Sequence, residues 1–201
     1  MLSSNLIRWG GLAAMLAGVL LVVAALLDLA VDPDEPVSVM VTRGVYAFQS
    51  AVNLLAVVLL LIGLVGLYAR QSEAAGLLGL VGFLVAFLGT ALATGFHWAT
   101  LFIVPSVAVV APGFVNEGPP PGFFLMFITF AVGWLLFGVA PLRAHVYPRA
   151  AAILLIGGVV FSLLPLPLVD IVLAVAVAWM GYVLFTERDA AAEPTSRASQ
   201  V

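Results

Sequence analysis

The stretch from Ala86 to Pro121 decides how often this chain can cross a membrane. It begins as an apolar helix pattern that acquires polar residues at Thr90, Thr94 and His97. It continues through an apolar segment broken by Pro105 and ends at Glu117 and the prolines 119 to 121. The other connections in the chain are short. If residues 100–111 cross a bilayer, every later segment reverses its direction. A crossing needs about 20 apolar residues. Here about 12 residues lie between breaks, with a proline among them, so 99–112 is expected to be helical in part and to lie at an interface or dip back.

Composition makes the bilayer the solvent. Of 201 residues, 64% are hydrophobic and 8% are charged, and the mean hydropathy is +1.25. A soluble domain carries about 25% charged residues. The net charge of -3 and the absence of a basic cluster exclude nucleic acid as an expected partner. Cysteine is absent, which removes disulfides, thiolate metal sites and thiol redox chemistry. All seven basic residues are arginine, which also removes a lysine Schiff base.

Six segments of membrane length are expected, at about 7–30, 43–68, 74–98, 123–140, 150–164 and 168–185. The first apolar run is too long for a signal-peptide core and is read as a retained span. Gly10, Ala14 and Gly18 form a small-residue stripe on it, suited to close helix contact. Segments two and three are joined by the polar turn Tyr68 to Glu73, and Pro141 ends segment four. Pro165 and Pro167 leave room only for a tight reversal before segment six. Residues 1–186 form one membrane domain. From Glu187 the tail is polar and is expected to be a disordered cytoplasmic extension.

Arginines set the expected orientation. Arg8, Arg70, Arg143, Arg149, Arg188 and Arg197 fall on the side of the termini, and Arg43 falls opposite. The positive-inside rule then places both termini in the cytoplasm and the long loop between spans three and four outside. The fold class is therefore an all-α six-span transmembrane bundle, multi-pass in a bacterial plasma membrane.

The polar residues cluster toward the outer side. Tyr46, Gln49 and Asn53 share one helical face. Thr90 and Thr94 continue a row with Gly82 and Ala86, with His97 nearby. Asp28, Arg43, Glu117 and Asp170 complete the candidate pocket. Segments two and three should be antiparallel neighbours. Counted from the turn at 70–73, Asn53 should match Thr90 in depth and Gln49 should match Thr94. Polar groups at membrane depth usually face the bundle interior or a wet cavity, so these residues are expected to converge on an outward vestibule.

Each has a plainer reading. His97 beside Trp98 serves as an interfacial anchor or as a ligand-binding or proton-handling group. Gln49 and Asn53 can simply bond a neighbouring helix. Asp170 suits the first turn of a helix. No metal-pair motif, P-loop, dinucleotide fingerprint or nucleophile elbow is present. The leading reading is a binding protein for a small molecule or a membrane partner, cofactor unknown. The alternatives are an enzyme pairing His97 with Asp170 or Glu117, and a structural subunit of a membrane complex.

In the C-terminal half, Gly133-Trp-Leu-Leu-Phe-Gly138 is followed by Arg143, Pro148-Arg149 and the aliphatic run Ile153 to Ile156. Gly118-Pro-Pro-Pro-Gly-Phe-Phe124 precedes it. This pattern, over residues 115–185, resembles a large group of uncharacterised six-helix bacterial membrane proteins typical of high-GC, actinobacterial-type genomes. The resemblance implies a six-span fold, no established activity and no functional residues.

Overall fold

A computed structural model describes residues 2–32, 34–164 and 168–192. Among them the chain is all-helical, with no strand. The helices are α1 (Leu2–Asp28), α2 (Val37–Met40), α3 (Gly44–Phe102), α4 (Val104–Val110), α5 (Pro112–Asn116), α6 (Pro121–Ala144), α7 (Arg149–Phe161) and α8 (Asp170–Ala192). Three stretches are long and apolar enough to cross a membrane: Asn5–Asp28, Gly44–Phe102 and Pro112–Ala144. Arg149–Phe161 and Asp170–Thr186 are apolar but shorter.

α3 is two arms. Straight, its 59 residues would extend for about 90 Å. Instead the backbone breaks at Gly76, with φ 55° and ψ -149°. A residue with a Cβ is strongly disfavoured there, and glycine is not. The chain folds back on itself, so that the rings of Tyr68 and Phe83 stack 4.2 Å apart across the bend. The turn expected at 68–73 is thus corrected to Gly76. Residues 70–73 are polar, but Arg, Gln and Glu are good helix formers, and the helix runs through them.

Two other boundaries shift. Pro141 is buried inside α6, which continues to Ala144 and ends on His145 at φ 55°. A membrane helix tolerates such a proline where its neighbours cover the freed carbonyl. α8 runs to Ala192, past the expected end at 185. The remainder of the tail, and the Pro165–Pro167 reversal, lie outside the described residues.

The six long arms close into a ring: first arm of α3, α1, α8, α7, α6, second arm of α3. Lipid offers apolar side chains the same environment that a bundle does, so close packing must hold such helices together. Small residues supply it. Gly10 lies against Gly66, and Gly63 against Ala14. Gly18 faces Ala174 and Ala178. Gly133 meets the backbone of Ala86, and Gly158 that of Leu173. The stripe read from Gly10, Ala14 and Gly18 is therefore spent on two neighbours, α3 and α8.

The ring has two distinct ends. At one, Ser38 and Asn116 bond reciprocally: the Ser38 amide donates to Asn116 Oδ1 at 3.0 Å, and Asn116 Nδ2 donates to Ser38 Oγ at 3.1 Å. This holds α2 against α5, beside the Arg43–Glu35 ion pair. α4, at seven residues, is only about 10 Å long. The other end carries the Gly76 bend and the 145–148 turn. There the Tyr147 hydroxyl donates to the Leu67 carbonyl at 3.0 Å. Arg8 lies over the Phe185 ring at the same end. Leu64, Leu67, Trp134, Phe137, Leu155 and Met180 fill the ring's interior and are fully buried.

Candidate functional site

The interior is not filled throughout. A cavity of about 340 Å³ opens among the arm ends nearest α2 and α5, and all six arms line it. Val57, Leu60, Ala131, Val159 and Leu173 give it an apolar floor. Phe96, Phe123, Phe127 and Phe130, with Met126, form one wall. Asp28, Gln49, Asn53, His97, Ser162 and Asp170 supply its polar groups.

Helix ends place these groups. Asp28 is the last residue of α1, and Gln49 stands in the second turn of α3. Gln49 is buried, and its Nε2 donates to Asp28 Oδ1 at 2.6 Å. This bond ties the end of α1 to the start of α3 and fixes the carboxylate. Asp170 sits in the first turn of α8, where the helix dipole favours an acid. Asp28 sits at a helix C-terminus, where the dipole opposes one. Both carboxylates are exposed at the cavity mouth. His97 is half-buried, its ring 5.5 Å from that of Phe96 in an edge-to-face arrangement. Among the described residues no carboxylate is hydrogen-bonded to it.

Of the ten residues expected to converge, five line this cavity: Asp28, Gln49, Asn53, His97 and Asp170. Arg43 and Tyr46 border a separate depression of about 40 Å³, with Asp32 and Glu35. Glu117 is exposed at the end of α5 and lines neither.

Thr90 and Thr94 are outside the cavity as well, for two reasons. Counted from Gly76, Asn53 and His97 lie at nearly equal distances, while Thr90 lies about two turns nearer the bend. The depth match therefore moves from Thr90 to His97. The row Gly82, Ala86, Thr90 is also the face that meets α6, through Phe137, Gly133 and Trp134. Thr90 is fully buried and accepts a hydrogen bond from Trp134 Nε1 at 3.1 Å. Its hydroxyl donates to the Ala86 carbonyl, and that of Thr94 donates to the Thr90 carbonyl. A threonine bonded back to its own helix needs no polar site.

The aromatic wall was not anticipated from the sequence. Its signal is present: Phe123, Phe127 and Phe130 fall at i, i+4 and i+7, one helical face. Gln71 was also missed. It is fully buried, and neither its Oε1 nor its Nε2 has a hydrogen-bond partner in the protein.

The chemistry open to the site is limited by its donors. Among the described residues no group of three or more His, Asp or Glu side chains is placed to hold a metal ion. His97 and Asp170 share the cavity, but they are not joined as an acid–base pair. Gly133 and Gly138, the glycines of the Gly-Trp-Leu-Leu-Phe-Gly pattern, pack on Ala86 and on Leu155 with Ile156, so that pattern is a packing feature. No protein family, curated protein or solved structure matches this chain.

Proposed function

We propose that this chain is a six-crossing integral membrane protein of a bacterial plasma membrane that binds a small molecule in a cavity open to the outer surface. Both termini are cytoplasmic in this reading. The observation that carries it is the cavity to which all six arms contribute, at the end of the ring beside the acidic 28–35 loop. Support for the orientation comes from Arg8, Arg70, Arg143 and Arg149, which lie toward the opposite end. α7, with 13 residues, spans only about 20 Å. Local bilayer thinning accommodates a short arm at modest cost.

The cavity favours binding over the two alternatives. A structural subunit needs a solid bundle, and here a cavity of about 340 Å³ opens at one end. An enzyme using His97 needs a carboxylate partner within hydrogen-bond reach; among the described residues Asp170 shares the cavity without bonding to His97, and Glu117 lies outside it.

Native mass spectrometry of the protein purified in mild detergent tests the reading. Wild type is expected to retain a non-protein mass of small-molecule size. Ala25 lines the cavity from α1, and Ala25→Trp should fill that space and abolish the retained mass while leaving the protein folded. A mass retained equally by both would place the ligand elsewhere.

A further inference from the structure

We infer that the cavity takes an organic cation, an amine or quaternary ammonium on an apolar body, with its charge at the mouth beside Asp28 and Asp170. This rests on the binding reading above and adds the ligand's class.

Charge is the first argument. Two carboxylates line the cavity, and no arginine does. Arg43 is ion-paired with Glu35. Arg43 is thus engaged elsewhere, and among the described residues Asp28 and Asp170 have no cationic side chain paired with them. Asp28 places its carboxyl group at the C-terminus of its own helix, where the dipole opposes an acid, and the Gln49 amide orients it. That placement gains nothing for α1. It does present a fixed carboxylate to whatever enters the cavity.

The wider field agrees. In the proposed topology the outer end carries Asp28, Asp32, Asp34, Glu35, Glu117 and Asp170 against Arg43 alone. A cleft with one sign of charge and low-dielectric walls concentrates ligands of the opposite sign.

Shape and lining set the rest of the class. Phe96, Phe123, Phe127 and Phe130 lie on one side, and aromatic faces attract cations. The apolar floor cannot solvate a bare ion but can bury a hydrocarbon or aromatic body. About 340 Å³ suits a small organic molecule and far exceeds an inorganic ion, for which no ligand cluster exists among the described residues.

Calorimetric titration of the full chain in detergent tests this with three probes of similar size: benzyltrimethylammonium, neutral N,N-dimethylbenzamide and anionic benzenesulfonate. The cation should bind wild type most tightly, and less tightly as salt is raised. Asp28→Asn keeps an oxygen to accept from Gln49, removes the charge and replaces the second oxygen with an amide NH2. It and Asp170→Asn should each weaken the cation by roughly five- to tenfold and the amide by far less, with a cooperative thermal melt showing that each variant is folded. If the amide binds as well as the cation and both variants are silent, the cation class is overturned while small-molecule binding stands. Tighter binding of the sulfonate overturns it in the same way. If no probe binds, the inference fails, and the mass retained in native mass spectrometry separately decides whether the binding reading fails with it.

Discussion

Gly133→Val is expected to leave almost no folded protein after extraction into detergent. A Cβ on Gly133 would lie 2.3 Å from the Ala86 nitrogen and 2.5 Å from its Cα. The obstacle is backbone, so no rotamer change relieves it. Moving α6 away from α3 would also break the contacts at Gly82 and Gly89, whose own Cβ positions lie 2.8 Å and 2.5 Å from the α6 backbone. It would separate Trp134 from Thr90 as well. Overpacking of this kind costs about 1–3 kcal/mol for extra methylenes in an ordinary core. A clash of two helix backbones belongs at or beyond the upper end of that range. Gly157→Ala is the control. It puts the same kind of added group where nothing lies within 4 Å, and helix propensity then favours alanine by about 1 kcal/mol. Size-exclusion profiles and thermal melts of the two variants should diverge sharply. A Gly133→Val melt within a few degrees of wild type would refute the close contact of α3 and α6.

Gln71→Met is expected to raise stability. Gln71 is fully buried five residues before the Gly76 bend, and both its amide atoms lack a partner in the protein. A buried polar group left unbonded costs about 1–3 kcal/mol. Methionine matches the side chain in length and flexibility and removes the polar atoms. The gain should therefore be of that order, read as a rise of several degrees in the detergent melt. Gln71→Glu should do the reverse, because it adds a charge at a fully buried position. A loss of stability in Gln71→Met would mean that the amide has a structural role of its own.

Much of the layout was legible because it depends on composition along the chain. The absence of charge between Arg8 and Asp28, or between Arg43 and Arg70, leaves little alternative to long apolar helices. The polarity of one end was legible for the same reason, and so were Asp28, Gln49, Asn53 and Asp170 as residues of that end. What failed was rotation and register. Thr90 looked like a cavity residue because threonine is polar. Its hydroxyl is satisfied within its own helix and by Trp134, 44 positions away, a partner that local spacing cannot reveal. The reversal was misplaced because Arg70, Gln71 and Glu73 look like a surface turn. The one residue able to hold the bend, Gly76, stands among many glycines that serve packing instead. The short displacement of that bend was enough to exchange Thr90 for His97 at the depth of Asn53.

Binding from outside requires that the cavity open to the outside of the cell, and the chain's lack of cysteine makes that measurable without background. Asn53→Cys, on the cavity wall, should be treated in intact cells with the membrane-impermeant trimethylammonium-ethyl methanethiosulfonate. Asp34→Cys and Glu117→Cys serve as outer references and Ser196→Cys as the inner one. Asn53→Cys, Asp34→Cys and Glu117→Cys should be modified from outside, and Ser196→Cys only after permeabilisation. Modification of Ser196→Cys in intact cells, with Asn53→Cys and Glu117→Cys reacting only once the membrane is breached, would contradict an outward opening.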